Sequence, residues 1–377
     1  MPIREFQLER YFAQWEFEAP YLLSASDCET MDIGELLALA AVPLTDLAAL
    51  RLGYTESKGD PALRETIARF YPGLSADEII VTNAPEEAIF LTMMVLLQPG
   101  DRVVVQTPCY QSLLEVAVFR GCMVEPWPMV ETETGWRMDL DHLAELLTPN
   151  TRLLVINAPH NPTGYLPSAG EFKTILNLVS ERDIRLFCDE MYRGLEYKPA
   201  DRLPSASSRY ERAISLWGMS KTFGLAGLRL GWLVSQDRDL LQALLKFKDY
   251  TTICSSAPSE FLARVALEQA DALIERNLDI IQTNLDRIHQ FMAAQRDLFD
   301  WREPLAGPIA FARLNQGQAD EFCRQAVQEA GVMLVPSTLF DFGNSHLRFG
   351  LGRRNFPEGL AVLADYVVRL KENFNLI

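Results

Sequence analysis

The sequence predicts an α/β fold, a mostly parallel sheet covered by helices on both faces, with a smaller α+β unit after it. Three observations predict it. Between residues 60 and 234, short and strongly apolar runs alternate with segments of helical periodicity, and strands that short and apolar are buried on both faces. The runs end in turns rich in Gly, Pro and Asn. Beyond residue 300 the pattern shifts to a few strands interleaved with two helices.

In chain order, residues 1–44 are irregular to helical. The stretch 5–17 holds Phe6, Leu8, Tyr11, Phe12 and Trp15, an aromatic set that needs something to pack against. Residues 32–41 suit a short amphipathic helix. Asp60 is a good N-cap and Pro61 suits the first helical position, so a helix starts there. Strand 78–81, helix 86–97, strand 102–106, helix 110–119, strand 123–127 and helix 140–147 follow. Then come strand 153–157, helix 172–181, strand 186–188, and strands 213–217 and 228–234 on either side of a turn holding Lys221. Residues 258–299 form a long helical stretch with few breakers. Strand 309–314, helix 320–330, strands 333–335 and 346–350, and helix 358–372 complete the smaller unit. This assigns 45–285 to a large domain, and 1–44 with 286–377 to a small one.

Bulk properties narrow the function. The 377 residues carry a net charge of -16 with no basic block, which argues against a nucleic-acid or anionic-membrane partner. No apolar run approaches the roughly 18 residues of a membrane helix, and the first residues lack the apolar core of a signal peptide. Six scattered cysteines without CxxC pairing suggest reduced thiols in a cytoplasm. Four histidines without paired spacing argue against a catalytic zinc.

Ligands of open parallel sheets bind at the carboxyl ends of the strands, so the residues after each strand carry the chemistry. Asn161 lies in the Asn-Pro-Thr-Gly turn after 153–157, and Asp189 ends 186–188 with Tyr192 just beyond. Tyr110 follows 102–106, and Ala84, Pro85 and Glu86 open the helix after 78–81. Lys221 sits between two apolar strands, with Arg229 eight residues on. A lysine there is costly unless paired or shifted in pKa, and a lowered amine pKa is what Schiff-base chemistry needs. Alone, each has a plain explanation as turn, cap or core. Together they put a carboxylate, a phenol, an amide, a lysine and an arginine at the ends of one sheet.

These motifs, Asn-Pro-Thr-Gly, Asp-x-x-Tyr, and Ser-Lys with Gly-x-Arg-x-Gly, resemble the pyridoxal-phosphate-dependent class I/II aminotransferases of fold type I over residues 20–370. The resemblance implies an aspartate-aminotransferase-like sheet of seven strands and pyridoxal 5'-phosphate as cofactor. It implies that Lys221 bonds the cofactor and shuttles the proton between substrate Cα and cofactor C4′. Asp189 would pair with the pyridine nitrogen. Tyr192 and Asn161 would hold the phenolate oxygen, with Asn161 also facing substrate, and Tyr110 would stack on the ring. Arg229 would bind the phosphate, helped by Ser220 and by the helix start at Ala84, Pro85 and Glu86. Tyr54 resembles the tyrosine that reaches the neighbouring subunit's phosphate, implying a homodimer with shared sites. Arg348 resembles the clamp for the substrate α-carboxylate. The other six lysines lie on polar turns or helices, where nothing is expected to lower their pKa.

Two departures stand out. Gly218 replaces a residue that usually donates a hydroxyl, and Ala84-Pro85-Glu86 replaces a glycine and a small residue. Pro85 lacks an N–H and Glu86 puts a like charge near a phosphate. The motifs imply amino-group transfer between an α-amino acid and a 2-oxo acid. They equally allow an elimination or cyclisation, and parts of the chain are similar to capreomycidine-synthase-type cyclases, which act on a hydroxylated arginine. A cofactor-binding sensor without catalysis is a remote alternative. Asp27, Glu16 and Glu9 are candidates to meet a basic side chain, although a chain this acidic is expected to carry them on solvated surface.

Overall fold

The computed structural model describes residues 2–374. Its centre is a seven-stranded sheet of β1 (Ile79–Thr82), β2 (Arg102–Thr107), β3 (Met123–Pro128), β4 (Thr151–Asn157), β5 (Arg185–Asp189), β6 (Ala213–Gly218) and β7 (Gly231–Ser235). The strand order is β1-β7-β6-β5-β4-β2-β3, and β7 alone runs antiparallel to its neighbours. Both faces of the sheet are core. Val103 and Val105 of β2 join one apolar cluster and Val104 the other, and Leu153 and Val155 of β4 are divided in the same way from Leu154 and Ile156. Each such side chain contributes about 1.5–3 kcal/mol by leaving water.

A four-stranded sheet follows, of β8 (Phe299–Asp300), β9 (Ile309–Leu314), β10 (Val335–Pro336) and β11 (His346–Gly350), in the order β8-β9-β11-β10. The N-terminal segment joins this part of the molecule: Tyr21–Leu22 pairs in parallel with Val332–Met333. The strands of the sequence reading are present with ends shifted by a few residues, except that 333–335 splits into Val332–Met333 and Val335–Pro336 on different partners, and Asp60 caps the helix Pro61–Ala68 by accepting from Leu63 N at 2.9 Å.

The differences have local causes. The stretch 5–17 is an ordered helix, Gln7–Trp15. The expected strand 228–234 begins only at Gly231, because Ala226–Leu228 is a short 3-10 turn and Arg229 adopts a left-handed φ of 48°. The long stretch 258–299 is two helices, Ala257–Glu268 and Ala270–Ala294, separated at Gln269. A helix at Arg238–Lys248 and a hairpin of Val130–Thr132 with Gly135–Arg137 were not read from the sequence. The expectation for the lysines fails at two positions. Lys248 is fully buried, its ammonium donating to Ser57 O and Ile253 O at 2.9 Å each, and burial lowers its pKa. Burial lowers that of Lys58 as well.

Candidate active site

The carboxyl ends of β4, β5 and β6 lie level, because Asn157 registers with Asp189 and Asp189 with Leu216. Since β7 runs the other way, its first residue, Gly231, lies beside Gly218 and Thr82 at the same edge. A cavity of about 370 Å³ opens there, within the size range of small-molecule sites. It is lined by Lys221, Asp189, Asn161, Tyr192, Tyr110, Arg229, Ser220, Pro85, Glu86, Arg348 and Asp27. The topology thus gathers nearly every residue singled out from the sequence.

Lys221 donates from its amine to Ser26 Oγ at 2.7 Å. Burial lowers its pKa, against the pull of Asp27 and with the push of Arg348. Asp189 is buried and accepts from Met191 N at 3.0 Å, while burial raises its carboxyl to about 7. A carboxylate in such a place gains from a cationic partner. The Tyr192 hydroxyl is buried and has no hydrogen-bond partner, so a donor and acceptor stands ready for a guest. Asn161 is positioned by its neighbour, since its N–H donates to Asn157 Oδ1 at 2.6 Å, and Asn157 Nδ2 donates to Asp189 O at 2.9 Å.

Arg348 comes from the smaller sheet, where β11 registers it between Phe311 and Val335. It is fully buried and donates to Ser24 O at 2.9 Å and Asn161 Oδ1 at 3.2 Å, leaving Nε unpartnered. Phe340 lies under the guanidinium at 5.3 Å. Arg229 donates to Ala226 O at 3.2 Å and reaches the cavity from its exposed side. Ala84 holds a φ of 75°, a glycine-like conformation at the start of helix Ala84–Leu96. Glu86 turns into the cavity, and burial raises its carboxyl to about 7.

The N-terminal segment closes the other side. Leu8, Glu9, Phe12 and Glu16 of the first helix and its extension line the cavity with Asp27. Glu9 accepts from the Tyr110 hydroxyl at 3.1 Å. Of the three acidic residues, Glu16 and Asp27 are half-buried, while Glu9 stays exposed as expected. Asp27 is held by Arg353, whose Nη2 lies 2.8 and 2.9 Å from its two oxygens. Gly224 lets this segment approach the lysine turn, because a Cβ there would stand 2.5 Å from Glu29 O at a φ of 68°.

Ala84 itself is not among the lining residues, and Tyr54 does not reach the cavity within one chain, its side chain being 90% exposed. The sequence reading missed Asn157, Ser26 and Arg353. Asn157 had a signal, a polar residue ending a buried apolar strand. Ser26 and Arg353 had none, because each acts through a contact more than 190 positions away. Among the described residues no cluster could hold a metal ion, and no helix is long and apolar enough to cross a membrane.

The donor set fits pyridoxal 5'-phosphate: an amine, a buried carboxylate, an orphaned phenol and an arginine around one cavity. Comparison with known proteins agrees. Capreomycidine synthase from Streptomyces vinaceus is 33% identical over 371 residues, covering 97% of this chain and 92% of that one. A crystal structure of a PLP-dependent aminotransferase from Streptococcus suis 89-1591 superposes with a TM-score of 0.92 at 28% identity, over 98% of this chain and 99% of that one. One of the PLP-dependent cyclase OrfR gives 0.90 at 31% identity, with 98% and 99% covered. Residues 34–355 match the family described as aminotransferase class I and II. The chain belongs to that family of pyridoxal-phosphate-dependent enzymes.

Proposed function

We propose that the protein is an aminotransferase that moves the amino group of an α-amino acid to a 2-oxo acid. The observation that carries this reading is the convergence of Lys221, Asp189 and Arg348 on one cavity from two different sheets. The bound cofactor would supply the electron sink for the bond broken at the substrate Cα. Arg348 would clamp the α-carboxylate and fix Cα over the lysine. The Lys221 amine, whose pKa burial lowers, would take the Cα proton and return it at the neighbouring carbon of the cofactor. Asp189 would hold the ring nitrogen protonated, Tyr192 and Asn161 would bond the ring oxygen, and Tyr110 would cover the ring. Arg229, Ser220 and the helix start at Ala84–Glu86 would hold the phosphate.

We further propose a cytoplasmic homodimer in which residues 45–285 carry the cofactor and Tyr54 completes the partner's site. Tyr54 and Tyr250 are 90% and 92% exposed, and Leu52 is 84% exposed, which supports a covered face there.

One observation favours a second reading, a cyclisation or elimination on a modified basic amino acid. Glu9, Glu16 and Asp27 line one cavity, and Glu9 and Glu16 are left without a cationic partner among the described residues, which suits a cationic side chain, and two of the compared proteins are a capreomycidine synthase and a cyclase. Single amino acids supplied without an oxo acid decide between the two. Accumulation of the pyridoxamine form of the cofactor is expected for the aminotransferase. Release of a cyclised or eliminated product with the starting spectrum restored would replace it with the second reading.

A further inference from the structure

The turn that opens helix Ala84–Leu96 departs from the family's pattern in ways that belong together. Pro85 has no N–H to give, and Gly218 has no hydroxyl. The two are one packing unit. A Cβ on Gly218 would stand 3.0 Å from Pro85 Cγ, and one on Gly231 would stand 2.9 Å from Pro85 N. Glu87 turns away from the cavity, accepting from Asn83 N and from the hydroxyls of Thr251 and Thr252 at 2.7 Å each. Glu86 turns into it, accepting from the Ser112 hydroxyl at 3.3 Å. Ser112 and Tyr110 face it from one segment, Glu9 from the first helix, Arg229 from the lysine turn and Asp189 from β5. The same cavity holds the unpartnered Tyr192 hydroxyl, which is 2% exposed, so the space is built for a polar guest.

A phosphate held by Arg229 here would share a shielded site with the Glu86 carboxyl. Like charges at short range drive protonation of one of them. Glu86 can shed its charge by taking a proton, and a carboxylic acid then offers an O–H. Such a donor to an oxyanion makes one of the stronger hydrogen bonds. Burial already favours the neutral acid before any second anion arrives.

We propose that Glu86 joins the phosphate cup as a protonated carboxylic acid, donating its O–H to the cofactor phosphate where Gly218 supplies no hydroxyl and Pro85 no N–H, so that cofactor binding takes up one proton. This rests on the cofactor assignment above, and the experiment separates the two. Cofactor-free protein is titrated spectroscopically with pyridoxal 5'-phosphate and, in parallel, with pyridoxal, which lacks the phosphate. The window is pH 7 to 9, above the second phosphate pKa of about 6. The ratio of the two affinities removes the contributions of Lys221, Asp189 and the ring. In the wild-type protein this ratio is expected to fall by about tenfold per pH unit at the alkaline end of the window. Calorimetry in two buffers of different ionisation heat is expected to read about one more proton taken up with the phosphorylated compound. In Glu86→Gln, which keeps an N–H donor and cannot ionise, the ratio is expected to be flat. A flat ratio in the wild type, or an unchanged slope in Glu86→Gln, overturns the proposal and leaves the cofactor assignment intact. No spectral change with either compound overturns both.

Discussion

The cavity has two walls that differ in how they are built. The wall formed by the sheet ends carries Asp189 on a strand locked by register, and Asn161 and Lys221 on turns that leave neighbouring strands of the same sheet. The opposite wall is the N-terminal segment, a nine-residue helix with only Leu8 buried, followed by a loop tied through Asp27 to Arg353 and through Ser26 to Lys221. The first wall has the rigidity that positioning a cofactor requires. The second touches the space left for a side chain, on an element that can change without disturbing the sheet. On the proposed reading, the cofactor chemistry would belong to the first wall and the choice of substrate to the second.

Three substitutions can break that division or sharpen it. The largest effect is expected from Lys221→Ala, which removes the amine proposed to bond the cofactor. Borohydride should no longer trap a covalent adduct, and turnover should fall by about 10³-fold or more. An adduct trapped at the wild-type level would remove Lys221 from the first wall.

Asp189→Asn comes next and separates stability from function. Burial raises the folded-state pKa of Asp189 to about 7. The sign follows from linkage: its contribution to stability is present at acid pH, below the unfolded value, and is lost as pH rises through 7. Asparagine keeps the acceptor for Met191 N but never ionises. Cofactor-free Asp189→Asn should therefore be more stable than wild type above pH 7, by on the order of 2 kcal/mol, while binding the cofactor far more weakly. Denaturant unfolding at pH 5 and pH 8 checks this, and equal stabilities at pH 8 would mean that the carboxylate is not strained by its burial.

Glu16→Gln is expected to have the smallest effect. Glu16 is half-buried, and burial first, then Asp27 and Glu9, raises its pKa. The variant should lower kcat/KM for an amino acid with a cationic side chain by about three- to tenfold relative to a neutral one of similar length. The cofactor spectrum should not move. Equal losses on both substrates, or a shifted spectrum, would show that the two walls do not divide the work.

The same division explains what was legible in the sequence. Strand-end residues announce themselves because a polar group closing an apolar run has few structural excuses, and Asp189, Asn161 and Lys221 all stand at such positions. Arg348 was legible only through its motif, and its buried contacts with Ser24 and Asn161 depend on how the smaller sheet lies against the site. The acidic wall was half legible. Glu9, Glu16 and Asp27 were visible as candidates, but composition alone favoured solvated surface, and nothing local revealed that Arg353 pairs with Asp27. Lys248 shows the converse error. It follows a polar helical stretch, yet its ammonium is buried against two backbone carbonyls that lie in different loops. Contacts across the fold decided each of these cases, and no window of sequence contains them.

The wedge of Pro85 against Gly218 and Gly231 also couples the two positions at which the phosphate cup departs from the family's pattern. A serine introduced at 218 meets the proline ring, the Leu230 carbonyl and the Gly231 backbone at about 3 Å, and replacing Pro85 removes only the first of these contacts. The two substitutions should therefore be strongly non-additive. Two of the three contacts are with backbone, so a hydroxyl at 218 needs the β6–β7 pair to shift whichever residue stands at 85.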